Sequence, residues 1–370
     1  MRARAEARAT LELGPRSERE IEAVVGREVD AQRFTNLDRQ LIRTANEHGG
    51  IVDLRPGAIG PDTNRRLPLL GRAAELERLG LADRVAPATW TLRSDLEPTL
   101  RDLSIRTDII KTMHRAMAGS ERAADPSSFA LQGDAPAEAI IGRLVERGLH
   151  DELAGSAYAV IDGADGRVHH VRFADLETTG DAAPGAIVEV RHWNGPHGDT
   201  RLSLAVRSDL SLDQQIGARG ATWLDRQLVG QSPVPTGGGF GQNIREALDS
   251  RAAHLVDEGL ARRVGGGVAI QRGLIETLKA RELDDAVSRT ATQSGLVHRP
   301  SAPGDHVSGV YRERIALSSG RFAMIDDGLG FQLVPWRPAL DAHLGRHITG
   351  TMGQGGAVDW SLGRARGLGR

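Results

Sequence analysis

Asn64-Arg-Arg-Leu-Pro68-Leu-Leu-Gly-Arg72-Ala-Ala-Glu-Leu76-Glu-Arg-Leu-Gly80-Leu81, continued by Ala82-Asp-Arg-Val85-Ala-Pro87-Ala-Thr-Trp90-Thr-Leu92, decides how the N-terminal third of this chain is read. The first part predicts a helix over about 64–79, with Pro68 tolerated because it falls near the first turn. Gly80 ends it: glycine takes the left-handed position beyond the last turn, and Leu81 packs back on the helix. Val85 and Trp90-Thr91-Leu92 then flank Ala86-Pro87-Ala88 as a hairpin. Upstream, a helix begins at Thr35, with Leu37, Leu41, Ile42 and Ala45 on one side, and stops at His48-Gly49-Gly50. Ile51-Val52-Asp53-Leu54 is a short strand candidate closed by Pro56. Helix, strand, helix, hairpin is the order of a winged helix-turn-helix, and the helix before the hairpin is then the recognition helix. It carries Arg65, Arg66, Arg72 and Arg78, while Arg84 and Arg93 flank the wing. These six arginines are the candidate DNA-binding set. The alternative is the solvated face of an amphipathic helix, or a module that binds protein.

Leu76-Glu-Arg-Leu-Gly80-Leu81 recurs as Leu144-Val-Glu-Arg-Gly148-Leu149 and as Leu255-Val-Asp-Glu-Gly259-Leu260. Each has the spacing of a glycine helix stop. The third leads into Arg262-Arg263-Val264, Gly265-Gly266-Gly267 and Val268-Ala269-Ile270, which copies the helix-then-hairpin layout and predicts a second, winged-helix-like module. Between the modules, Ala157–Ile161, Val168–Phe173, Ala186–Trp193 and Leu202–Val206 are strand candidates. In the second of these, His169, Val171 and Phe173 alternate to one face, as Ala186, Val188 and Val190 do in the third. Strands this short, parted by Gly/Asp turns, suggest a small barrel or sandwich. The expected class is α+β. The expected divisions are a helical arm at 1–30 (Ser17 and Glu20 have capping-box spacing), the winged helix-turn-helix at 31–105, a helical connector at 106–150, the β-rich barrel or sandwich at 151–208, the second module at 209–292 and a C-terminal β-rich domain at 293–370.

Bulk composition narrows the function classes. The 370 residues contain no cysteine, which removes disulfides, thiolate metal sites and cysteine nucleophiles. No apolar run approaches the roughly 18 residues of a membrane span, and the opening Met1-Arg-Ala-Arg-Ala-Glu-Ala-Arg-Ala-Thr10 lacks the apolar core of a secretory signal. A cytoplasmic, membrane-free protein is expected. Net charge is −2, so strong non-specific DNA binding by the whole chain is not expected. Nearly all cations are Arg, with Lys111 and Lys279 the only lysines, and Arg suits bidentate phosphate and guanine contacts.

No catalytic set stands out. Metal-dependent nicking needs clustered histidines and a tyrosine or water nucleophile. His169 and His170 are adjacent, so on a strand they diverge. Tyr158 and Tyr311, the only tyrosines, fall inside strand candidates, where burial is the cheaper reading. Asp326-Asp327-Gly328 offers paired carboxylates, but a hairpin turn explains it more simply. Gly237-Gly238-Gly239-Phe240-Gly241 precedes a helix without the Lys-Ser/Thr of a phosphate loop. Neither cofactor, metal nor catalytic residue is expected.

Longer strings carry a resemblance. Ser319-Gly-Arg-Phe-Ala-Met-Ile-Asp-Asp-Gly-Leu-Gly-Phe-Gln-Leu-Val-Pro-Trp-Arg-Pro338 and Val358-Asp-Trp-Ser-Leu-Gly-Arg-Ala-Arg-Gly-Leu-Gly369 resemble the C-terminal domain of unknown function in a proteobacterial relaxase/mobilization nuclease family, related to the relaxases that nick T-DNA borders. Leu11-Glu-Leu-Gly-Pro-Arg-Ser-Glu-Arg-Glu20, Asp108-Ile-Ile-Lys-Thr-Met-His-Arg-Ala-Met117 and Ala221-Thr-Trp-Leu-Asp-Arg-Gln-Leu228 are similar to it too. Members of that family carry a nuclease, with its metal-binding His and nucleophilic Tyr, ahead of the matching region, so no residue here is expected to inherit that role. The resemblance implies conjugative plasmid transfer. It implies transfer-origin DNA, the nuclease half and other transfer proteins as partners. An accessory DNA-binding region without nicking activity of its own is the expectation, with a protein-interaction scaffold as the alternative.

Overall fold

The structure is a computed structural model that describes residues 26–58, 63–119, 125–132, 138–151, 155–194, 200–230, 234–354 and 356–362. Most of the helix expected over 17–30, and the basic tail beyond 362, lie outside the described residues; 26–29 are helical. The chain divides into two compact units at Thr112/Met113. It is mixed α+β with several sheets, as expected.

The first unit contains α1 (Asn36–Glu47), β1 (Ile51–Asp53), α2 (Thr63–Arg78), the hairpin β2 (Ala82–Ala86) and β3 (Thr89–Leu92), and the start of α3 (Leu96–Ala118). The strands form an antiparallel sheet in the order β1-β3-β2. Leu37, Leu41, Val52, Leu69, Leu76, Trp90 and Leu100 close a single core beneath it. Gly80 stops α2 with φ +72, and the Leu81 amide returns to the Leu76 carbonyl at 2.8 Å. Polar groups fix the packing of α1 on α2. Thr35 caps α1 in a reciprocal box with Asp38. Asp38 also receives Arg72 from α2, through Nε at 2.8 Å and a terminal nitrogen at 3.0 Å, and both side chains are fully buried. The remaining Arg72 donors reach the carbonyls of Val29, Ala31 and Arg33, at 3.0, 2.6 and 3.0 Å. All five guanidinium N–H groups therefore have acceptors, the condition for burying an arginine.

The second unit begins with a six-stranded sheet: β4 (Phe129–Gln132), β5 (Ile140–Asp151), β6 (Ser156–Gly163), β7 (Val168–Phe173), β8 (Ile187–Asn194) and β9 (Thr200–Ser208). The order is β4-β7-β6-β5-β8-β9, antiparallel except for the parallel pair β4–β7. The expected strands are all present, but the sheet is open and no barrel closes among the described residues. The chief departure is β5. Leu144–Leu149, expected to end a helix, lies inside this strand. Ile140, Gly142 and Leu144 are buried with the period of two that a strand requires. Gly148 accommodates the Tyr158 ring, which would lie 3.1 Å from an added Cβ, rather than ending a helix. The helical connector expected at 106–150 is thus helix only as far as Ala118.

A second helical module follows: α4 (Leu212–Ile216), α5 (Trp223–Val229), α6 (Phe240–Asp257), the hairpin β10 (Ala261–Val264) and β11 (Gly267–Ile270), and α7 (Leu274–Ser294). Its buried clamp repeats that of the first module. Thr222 caps α5 in a box with Asp225. Arg251 of α6 reaches Asp225 at 2.8 and 2.9 Å, and both are fully buried. The other Arg251 donors take the carbonyls of Ile216, Ala218 and Gly220, at 2.9, 2.7 and 3.2 Å. Those carbonyls stand at the same steps before Thr222 as Val29, Ala31 and Arg33 stand before Thr35. Thr35-Asn-Leu-Asp-Arg-Gln-Leu-Ile42 and Thr222-Trp-Leu-Asp-Arg-Gln-Leu-Val229 differ at two positions.

The last sheet holds β12 (His306–Leu317), β13 (Gly320–Asp326), β14 (Phe331–Pro335), β15 (His347–Met352) and β16 (Val358–Trp360), in the order β14-β13-β12-β15-β16. This is the β7-β6-β5-β8-β9 arrangement again. The register shift at Leu144/Glu146 reappears at Tyr311/Glu313. Gly142 and Gly309 both lie where a Cβ would fall 2.3 to 2.4 Å from the carbonyl of the facing Asp162 or Asp326. The chain is therefore module, sheet, module, sheet. Glu282 of α7 ties the second module to the last sheet by accepting the Ser318 and Ser319 amides at 2.7 and 2.9 Å.

Removing either buried guanidinium strands an aspartate in the core. Arg72→Ala and Arg251→Ala should each cost about 3–5 kcal/mol of unfolding free energy in urea titrations. Arg→Lys should recover little, since a single ammonium cannot span five acceptor directions. A loss below about 1 kcal/mol, the scale of an exposed pair, would contradict the clamp.

Candidate nucleic-acid interface

The six arginines singled out in the sequence meet different fates. Arg72 is fully buried in the clamp and is closed to any ligand in this fold. The side chain of Arg65 lies outside the described residues. Arg66 donates through Nε to the Leu54 carbonyl at 2.6 Å, holding α2 to the end of β1. Arg78 pairs with Glu75 at 2.5 Å, one turn back on α2. That hydrogen bond holds the Glu75 carboxyl below its usual range. Arg84 pairs with Glu77 at 2.9 Å and lies over the Trp90 ring, 4.7 Å from its centre. Trp90 Nε1 also donates to Glu77, at 2.9 Å, and the carboxyl is held low first by Arg84 and then by Trp90. Arg93 pairs with Asp95 at 2.6 Å. The structure thus brings Arg84, Glu77 and Trp90 together. It matches each of Arg78, Arg84 and Arg93 with a carboxylate and so leaves little cationic field on the first hairpin.

The second hairpin is different. Arg262, Arg263 and Arg272 are exposed, and none has an ion-pair partner among the described residues. Its helix, α6, buries Phe240, Ile244 and Ala247 in a cluster with Ile187 of β8 and Ala164 of the turn after β6. Sequence reasoning missed these three arginines although the signal was available. Arg262 and Arg263 sit in a run without an acid from Gly259 to Leu274.

The glycine segment 237–241 is used for close packing. The Gly237 amide donates to the Ala164 carbonyl at 2.7 Å, and Cβ atoms on Gly237 and Gly241 would fall 2.0 and 2.2 Å from the carbonyls of Asp165 and Ala164. Asp326-Asp327-Gly328 is a turn between β13 and β14. Asp327 accepts the Leu329 and Gly330 amides at 2.9 and 2.8 Å and pairs with Arg299 at 2.7 Å. Asp326 pairs with Arg312 at 2.9 Å. Each carboxylate is thus occupied by turn amides and an arginine. Among the described residues no group of three or more His, Asp or Glu is placed to hold a metal ion. No described helix is long and apolar enough to cross a membrane.

Two helical modules alternating with two open, mainly antiparallel sheets, each module carrying a hairpin after the helix that bears its buried clamp arginine, define an α+β protein of repeated construction. The profile of a family described as a protein of unknown function, DUF3363, matches residues 69–199 and 195–369, and the chain belongs to that family. No curated protein and no solved structure matches the chain.

His169 and His170 diverge on β7 as expected, and both are buried. His169 meets Asp165 at 3.1 Å. His170 stacks on Tyr158, centres 5.3 Å apart, and Tyr158 donates its hydroxyl to Glu146. Burial, then that hydrogen bond, pushes the Tyr158 hydroxyl up to about 12, the opposite of an activated nucleophile. Burial first, then the nearby His150, pushes His170 down to about 4. With an unfolded value near 6.5, the unfolded chain binds more protons between these limits, so stability should rise with pH from about 4 to 6.5. His170→Phe keeps the stacking and removes the titration. In urea melts across that window the variant should lose less stability on acidification than the parent, and parallel pH profiles would contradict this.

Proposed function

We propose that this chain is a DNA-binding accessory region of a conjugative relaxase, acting in the cytoplasm without nicking activity of its own. It helps the relaxase engage transfer-origin DNA or assemble with its transfer partners. The observation that carries the reading is the first module: α2 directly precedes the hairpin β2–β3, β1 completes the sheet, and α1 packs on α2 and β1, which is the element order expected of a winged helix-turn-helix. The second module, with the same clamp, is read as a second winged helix. The resemblance of Ser319–Pro338 and Val358–Gly369 to the C-terminal region of the mobilization nucleases supplies the biological setting.

A second reading has its own support. The pairing of Arg78, Arg84 and Arg93 with Glu75, Glu77 and Asp95 gives the first module a balanced surface, which suits a scaffold that contacts the nuclease half or the coupling machinery. Fluorescence anisotropy with single- and double-stranded transfer-origin DNA over a salt series separates the two. The DNA reading expects binding at roughly 50 mM salt that falls linearly in log–log form as salt rises. Absence of binding at that salt would replace it with the scaffold.

A further inference from the structure

We infer that the second hairpin, Ala261–Ile270, with Arg272 at its foot, is the phosphate-contacting surface of this chain and that its ligand is duplex DNA. The inference rests on the DNA-handling reading and moves the contact from the first module, where sequence placed it, to the second.

The repeat makes the comparison position by position. Arg72-Ala-Ala-Glu-Leu-Glu-Arg-Leu-Gly-Leu-Ala-Asp-Arg-Val85 aligns without a gap on Arg251-Ala-Ala-His-Leu-Val-Asp-Glu-Gly-Leu-Ala-Arg-Arg-Val264. Arg84 and Arg263 are equivalent. Arg84 is held by Glu77 and Trp90. The residue at the place of Glu77 is Val256, and the strand neighbour of Arg263 is Val268 where Arg84 has Trp90. Asp83 becomes Arg262. The amides of Arg93 and Gln271 make the same bond, to the carbonyls of Leu81 and Leu260, so Ser94 becomes Arg272 and Asp95 becomes Gly273. Every acid that neutralises the first hairpin is gone from the second; Arg262 and Arg272 are gained while Arg78 and Arg93 give way to Asp257 and Gln271, so three arginines remain without their carboxylates.

The same fold thus presents a balanced hairpin in one module and an unneutralised cationic one in the other. Glu258, at the end of α6, is taken up by Arg281 at 2.8 Å. Asp257 and Glu276 are exposed on α6 and α7, so the cationic strip is confined to the hairpin and its foot. The hairpin tip Gly265-Gly266-Gly267 is exposed and has open space around it, so its backbone can approach a ligand closely. A two-stranded ribbon fits the major groove of duplex DNA, and arginines on its flanks then meet phosphates. Burial of Phe240, Ile244 and Ala247 against the sheet commits one face of α6 to packing.

The test compares the parent chain with two combined variants, Arg262→Gln/Arg263→Gln/Arg272→Gln and Arg78→Gln/Arg84→Gln/Arg93→Gln. Each is checked for an unchanged melting profile and titrated with a short DNA duplex over a salt series. A polyglutamate peptide of equal charge serves as the competing polyanion. Losing three phosphate contacts should make the log–log salt slope shallower by about 2.7, at 0.9 per phosphate. That result in the second-hairpin variant, with the first-hairpin variant close to the parent, supports the inference. Parent binding with an unaltered slope in the second-hairpin variant overturns it while the DNA-handling reading stands. No parent binding overturns both. Polyglutamate bound as tightly as DNA through the same arginines overturns the choice of ligand and points to an acidic protein.

Discussion

A buried arginine held in a fork by one aspartate is the interaction on which both helical modules depend. Arg72 and Arg251 each join the second long helix of their module to the capped start of the first, and to three carbonyls of the segment before it. Taking two charges out of water costs more than their attraction returns unless every donor is met. Here all five donors are, and the aspartate doubles as the capping-box partner of the N-cap threonine. The clamp therefore fixes the angle between helices and the path of the chain that enters them. The hairpin follows from the same helix, ten residues after the clamp arginine, by way of a left-handed glycine at the eighth in both modules.

Because the framework is repeated so closely, differences between the copies stand out as differences of surface. The clamp, the glycine stops, the register shift in the central strand and the close glycine approaches are kept in both halves. The charges on the hairpins are not kept. With the clamp and the hairpin held constant, the charges diverge together with the strand residue beside them, Trp90 in one module and Val268 in the other.

Much of the architecture was legible. Gly80 and Gly259 mark true helix stops, the apolar alternation read in Val168–Phe173 and Ala186–Val190 falls on β7 and β8, and the C-terminal region is β-rich as expected. Leu144–Leu149 misled because Leu, Glu, Arg and Gly at that spacing satisfy a helix stop as well as an amphipathic strand; pairing with β6 and β8 decided the matter. Of the site, the sequence showed that arginines cluster near hairpins but not which were spent. Arg72 lies on a helix face like any solvated cation until Asp38, distant in sequence, is brought beneath it. The likeness of Thr35–Ile42 to Thr222–Val229 was present in plain letters; its meaning became visible only when both aspartates were seen to hold an arginine.

Backbone amide hydrogen exchange of the full chain, with and without a DNA duplex, addresses the central claim most directly, because it reads the equivalent hairpins side by side in one experiment. Added protection at residues 261–272 with none at 82–93 is the predicted outcome. Protection confined to 82–93, or to neither hairpin while the duplex is bound, would contradict the account.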